Sequence, residues 1–140
     1  MTWSILLVDD STAARTSLRM ALEAKGATVV EAQNGREGLF RAKTQPIDLI
    51  VTDVHMPVMD GLQMIQELRK ESEYSAVPIL VLTSDVAGSR AAEGRAAGAT
   101  SWLVKPVTPE LVWKAIEKVL FGKQPRAASN DAPARGVSPR

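Results

Sequence analysis

The chain of 140 residues contains no cysteine, which excludes a disulfide framework, a thiolate metal site and a cysteine nucleophile. No apolar run approaches the roughly 20 residues needed to span a bilayer. The opening segment MTWSILLVDD lacks the basic stretch of a secretory signal, so a cytoplasmic protein is expected. A glycine-rich phosphate loop is missing too. The segment after the first apolar run reads DDSTAART, without glycine, and no G-x-x-x-x-G-K-[ST] occurs, which argues against a flavin- or nucleotide-binding module. The formal charge of +1 hides a division: residues 122–140 carry +3 and the other 121 residues carry −2. A surface for nucleic acid needs a basic patch on the folded domain, and here the basic excess sits in the tail. Neither nucleic acid nor a membrane is expected as a partner.

What the chain does have is the content of a globular domain, 45% hydrophobic and 24% charged residues, and a length that suits one domain with a sizeable core. Five short apolar runs stand out: Ile5–Val8, Ala27–Val30, Ile47–Val51, Pro78–Leu82 and Trp102–Val104. Several are continuous rather than alternating, as strands covered on both faces of a parallel sheet should be. Helix-length segments lie between them. Ser11 to Ala24 has hydroxyl residues to cap its start, Leu18 and Leu22 one turn apart, and Gly26 at its exit. Asn34-Gly35 opens a second helix through Lys43, and Gly61 to Lys70 carries Leu62, Ile65 and Leu68 on one stripe. A fourth helix, about Gly88 to Ala97, is poor in apolar residues and interrupted by Gly94, at a cost of about 1 kcal/mol relative to Ala. In the fifth, Thr108 caps, Pro109 occupies the first turn, and Leu111, Val112, Ala115, Ile116, Val119 and Leu120 form the apolar face. Five β–α units in succession predict an α/β, three-layer, doubly wound parallel sheet with right-handed crossovers. Residues 122–140, rich in Pro, Ala, Ser and Arg, have little to bury and are expected to be a disordered tail.

Ligands of such sheets bind beyond the carboxyl ends of the strands, so the residues there matter most. Asp9 and Asp10 follow the first strand, and Asp53 follows the third. Thr83 ends the fourth, with Ser84 and Asp85 after it, and Lys105-Pro106 follow the fifth. The second strand contributes only Glu31. Three carboxylates brought together cannot all stay ionised without a cation. Hard oxygen donors favour Mg²⁺, which takes one or two carboxylates together with water or phosphate oxygens. Lys105 and such an ion would balance the charge and leave room for a phosphoryl group, and Asp can accept phosphoryl as a nucleophile. Ordinary loop acids capping helices are the competing explanation. Capping by Asp10 or Ser11 accounts for neither Asp53 nor Lys105.

At these residues the chain resembles the receiver domain of two-component response regulators, the CheY-like family, from about Ser4 to Phe121. The resemblance rests on four motifs in order: Asp9-Asp10, the segment TDVHMPVMDG around Asp53, Thr83-Ser84, and Lys105-Pro106. It implies the strand order 2-1-3-4-5 and makes Asp53 the phosphorylation site. It also implies Mg²⁺ held by the Asp10 and Asp53 side chains, by Asp9 through water and by the backbone carbonyl of His55. Thr83 and Lys105 would bind the phosphoryl group, and a cis Lys105–Pro106 peptide bond would aim Lys105 into the site. His55, the single histidine, and Asp85 would tune hydrolysis of the acyl phosphate. Trp102 stands where the family usually has Tyr or Phe, the aromatic that moves with Thr83; core packing is the competing reading for it. Met20, Met56, Met59 and Met64 read as core or loop-packing groups.

The resemblance further implies a histidine kinase as phosphodonor and a protein target docking on the fourth helix, fifth strand and fifth helix. The protein is then a monomeric phosphoacceptor rather than an enzyme. With no effector domain after Phe121, a single-domain chemotaxis-type regulator acting on the flagellar motor switch is the first subclass. A phosphorelay intermediate, a phosphate sink or a receiver fragment of a larger regulator is the second. A Mg²⁺-dependent aspartate-nucleophile phosphatase would want an acid two residues after Asp53, where His55 stands.

Overall fold

A computed structural model describes residues 2–84 and 91–126. The strands are β1 (Ser4–Val8), β2 (Thr28–Ala32), β3 (Leu49–Asp53), β4 (Ile79–Thr83) and β5 (Ser101–Val104). The helices are α1 (Thr12–Ala24), α2 (Gly35–Thr44), α3 (Gly61–Arg69), α4 (Ala91–Ala97) and α5 (Pro109–Leu120). All strands are parallel, in the order β2-β1-β3-β4-β5, which is the architecture expected from the sequence. Among the described residues no helix is long and apolar enough to cross a membrane.

The continuous apolar runs have a physical reason. Successive side chains of a strand point to opposite faces, and here both faces are covered. Leu6, Val8, Ile50, Ile79 and Val81 pack with Ala42, Ile65, Leu68 and Ala97 on the side of α2, α3 and α4. Ile5, Leu7, Leu49, Val51, Leu80 and Leu82 pack with Leu22, Val112, Ile116 and Leu120 on the side of α1 and α5. The helix starts use the expected groups: the side chains of Ser11, Asn34 and Thr108 each accept an N–H of their helix's first turn. Asp60 and Gln63 close a reciprocal capping box at α3.

One expectation changes. Met20 is 61% exposed. At about 100° per residue it lies on the opposite side of α1 from Leu18 and Leu22, which face the sheet; Met64 is fully buried, and Met56 and Met59 pack on the core edge. A 3₁₀ turn, Ser72–Tyr74, buries Tyr74 between α3 and β4. The start of the tail is not free either. Asp48, buried at the entry to β3, accepts the Ser4 N–H at 2.7 Å and the Arg126 N–H, and the Arg126 guanidinium lies 5.7 Å from the Tyr74 ring centroid. A buried carboxylate needs donors, and the Arg126 N–H supplies one. Of the remaining expectations, Asp85 and the first turn of the fourth helix lie outside the described residues, as does the tail from 127 on.

Candidate phosphoacceptor and cation site

Asp53 is the last residue of β3 and Thr83 the last of β4. Thr83 is buried, and its carbonyl accepts the Lys105 N–H at 2.6 Å, which carries the exit of β5 alongside β4. Strand register thus brings Asp53, Thr83 and Lys105 to one sheet edge. The Lys105–Pro106 peptide bond is cis, and Lys105 Nζ donates to Asp53 Oδ2 at 3.2 Å. Asp53 Oδ1 accepts the Val54 N–H at 2.7 Å, so each oxygen of this carboxylate has a donor.

The acid pair arrives from β1. Asp9 is buried and Asp10 exposed, and one carboxylate oxygen from each of Asp9, Asp10 and Asp53 lies within 4.8 Å of the others. Burial pushes the Asp9 carboxyl above its ordinary value. The Asp53 charge adds to that push, while the Ser11 N–H, at 2.8 Å from Asp9 Oδ1, and Lys105 oppose it. A divalent cation would relieve both the desolvation and the repulsion. Three clustered hard oxygens suit Mg²⁺ or a related ion. Next to Asp9 and Lys105 a largely apolar cleft of about 510 Å³ opens between α1 and the start of α5, lined by Ala14, Leu18, Val107 and Val112 among others.

The loop after β3 is held by glycine. Gly61 N–H donates to the Val54 carbonyl at 2.9 Å, and a Cβ at Gly61 would stand 2.1 Å from the Asp53 carbonyl oxygen. The Asp60-Gly61 pair therefore does two jobs, capping α3 and letting its first turn press on the backbone of Asp53. His55 lies in this loop with its side chain exposed. Val58, in the same loop, has φ of 71° and is 69% exposed, a left-handed conformation that costs a β-branched residue strain.

The chain belongs to the response regulator receiver domain family. Its family model matches residues 5–117. Protein PilH of Pseudomonas aeruginosa is 36% identical over 118 residues, which cover 84% of this chain and 98% of that protein. The chemotaxis response regulator CheY4 of Vibrio cholerae superimposes with a TM-score of 0.81 at 40% identity, over 86% of this chain and all of that one. The receiver domain of a sensor histidine kinase of Pseudomonas aeruginosa, with a magnesium ion coordinated in its active-site cleft, superimposes with a TM-score of 0.79 at 26% identity, over 86% of this chain and 98% of that one.

Within this receiver domain Trp102 stands apart from the carboxylates. It is half-buried in β5 against the core on the α3–α4 side, and its ring packs against α4, where a Cβ on Gly94 would meet Cζ3 at 2.0 Å. Among the described residues its buried Nε1 has no hydrogen-bond partner. Gly94, read from the sequence as a mere helix weakness, is what makes room for the indole. Sequence reasoning also passed over Arg15 and saw Glu31 only as a marginal acid. Arg15 Nη1 donates to the Asp9 carbonyl at 2.7 Å and Nε to Glu31 Oε1 at 3.0 Å. The available signal was an Arg one turn into the helix that follows the acid pair, with a carboxylate at the end of the neighbouring strand.

Proposed function

We propose that this receiver domain is a phosphoacceptor switch: a histidine kinase transfers phosphoryl to Asp53 in a Mg²⁺-dependent step, and the modified domain binds a protein target. The observation that carries the reading is a single ammonium, Lys105 Nζ, 3.2 Å from Asp53 Oδ2 within a cluster of three carboxylates. Asp10 and Asp53 would hold Mg²⁺ by their side chains, Asp9 through water, and His55 by its backbone carbonyl. Bound there, Mg²⁺ supplies the positive charge that lets the carboxylates and the phosphoryl oxygens share one site.

An Asp53 carboxylate oxygen bonds to phosphorus, the P–N bond to the donor histidine breaks, and its electron pair returns to the imidazole. Lys105 then pairs with one phosphoryl oxygen and the Thr83 hydroxyl donates to another. Water later cleaves the acyl phosphate, with His55 and Asp85 controlling its approach. The domain is thus a monomeric, transiently modified acceptor. Thr83 and Trp102 are the movable groups, and the face of α4, β5 and α5, where Val104 and Leu111 are exposed, is the output surface.

The likeness to the chemotaxis response regulator CheY4 supports a chemotaxis-type output, with a flagellar motor switch protein as the first target to test. Incubation with a small phosphodonor and Mg²⁺, followed by intact mass, should show one added phosphoryl group on the wild-type chain and none on Asp53→Asn. Equal uptake by the variant would remove Asp53 from the role. Binding of the phosphorylated chain to a motor-switch peptide supports the chemotaxis output. Onward transfer to a histidine phosphotransfer protein would instead make it a relay intermediate.

A further inference from the structure

We infer that Arg15, held in place by Glu31, is a positioning residue for the cation site, and this inference rests on the reading of that site given above. The Asp9–Asp10 segment is a short connection between β1 and α1 whose two acids repel each other and Asp53. Three contacts fix it: Asp9 N–H to the Ala32 carbonyl at 3.1 Å, Ser11 N–H to Asp9 Oδ1 at 2.8 Å, and Arg15 Nη1 to the Asp9 carbonyl at 2.7 Å. The third has a consequence for Asp10. The Asp9 carbonyl and the Asp10 N–H belong to one rigid peptide plane, so a donor that fixes the carbonyl also fixes the backbone from which the Asp10 carboxylate projects.

Arg15 is itself constrained. Its side chain is 13% exposed, and its Nε bonds Glu31 Oε1 at 3.0 Å. The other Glu31 oxygen lies 2.9 Å from Arg19 Nε, as an ion pair without hydrogen-bond alignment. Glu31, at the end of β2, therefore bridges two arginines one turn apart on α1. The planar guanidinium fork directs one N–H to the carboxylate and another to the carbonyl, a geometry that an ammonium cannot reproduce. Glu31 also offsets part of the positive charge of Arg15 and Arg19, which lessens the repulsion of a cation placed at the acids.

The sign of the effect separates positioning from simple electrostatics. Deleting a positive charge near a cation site should tighten Mg²⁺ binding by Coulomb's law. Loss of positioning should weaken it, by about ten-fold for a residue that orients a ligand from behind. Calorimetric Mg²⁺ titration of the full chain, with thermal unfolding of the same samples without Mg²⁺, reads both. Arg15→Met is expected to bind Mg²⁺ about ten-fold more weakly, and Arg15→Lys, which keeps the charge and can donate to the Asp9 carbonyl but lacks the planar fork, to recover part of the loss. Arg15→Gln is a second neutral variant should Arg15→Met fail to fold, and the same weakening is expected of it. Mg²⁺ affinity in the folded neutral variant equal to or tighter than wild type would overturn the inference, whatever happens to the melting temperature. A wild-type chain that binds no Mg²⁺ would overturn the reading of the site, and this inference with it.

Discussion

Substituting Gly94 by Ala tests the packing of Trp102 most directly, because local and tertiary reasoning give opposite signs. In a solvated helix the change should stabilise by about 1 kcal/mol, since Ala is the better helix former. Here the new Cβ would lie 2.0 Å from Trp102 Cζ3, 2.4 Å from Cε3 and 3.0 Å from Cη2. The indole sits in β5 and cannot retreat without shifting the strand or swinging towards solvent, and overpacking of this kind costs about 1–3 kcal/mol. Set against the helix gain, Gly94→Ala should destabilise by up to about 2 kcal/mol. With Trp102→Ala already present the clash is gone, and the same change should stabilise by about 1 kcal/mol. The coupling between the two positions is then about 1–3 kcal/mol, within the range of directly contacting residues. Urea unfolding followed by far-ultraviolet circular dichroism, a signal that does not depend on the tryptophan being removed, measures all four corners of the cycle. A stabilising Gly94→Ala in both backgrounds would refute the contact. The cycle also bears on switching: with Gly94 in place the ring stays inward and Nε1 is buried and without a partner among the described residues, and in Gly94→Ala an expelled ring would gain a hydrogen bond to water, so its fluorescence should shift to the red.

Two further predictions follow from the loop and the acids. Val58→Gly should raise stability by about 1 kcal/mol in the same urea assay, because relief of the strained φ of 71° outweighs the greater freedom of glycine in the unfolded chain; a loss of 1 kcal/mol or more would show that Val58 is not strained. Without Mg²⁺, stability should fall as pH rises above the ordinary aspartate value of about 3.9 through the raised pKa of Asp9, since the folded state binds the proton more tightly than the unfolded one in that window. Unfolding free energies across the acid range should show this slope in the wild type and a smaller one in Asp9→Asn, and an equal slope in both would remove Asp9 as its source.

The sequence by itself determined the architecture. Apolar runs of four or five residues alternating with capped amphipathic segments leave few options but a doubly wound parallel sheet, and strand ends carrying Asp9, Asp10, Asp53, Thr83 and Lys105 must then share an edge. Such features are legible because they depend on period and order, which a linear string records. Tertiary structure decided the contacts between residues far apart in the chain. The role of Gly94 depends on a ring eight residues away on another element, and that of Gly61 on a carbonyl eight residues before it. The fates of Arg126 and Asp48 depend on each other across 78 residues, and composition alone placed Arg126 in a free tail. Arg15 has no partner legible in the linear string, because only the pairing of β2 with β1 brings Glu31 to 3.0 Å from it. Propensity and periodicity measure how a residue suits its own element; what it meets on the neighbouring one is fixed only when the sheet is assembled.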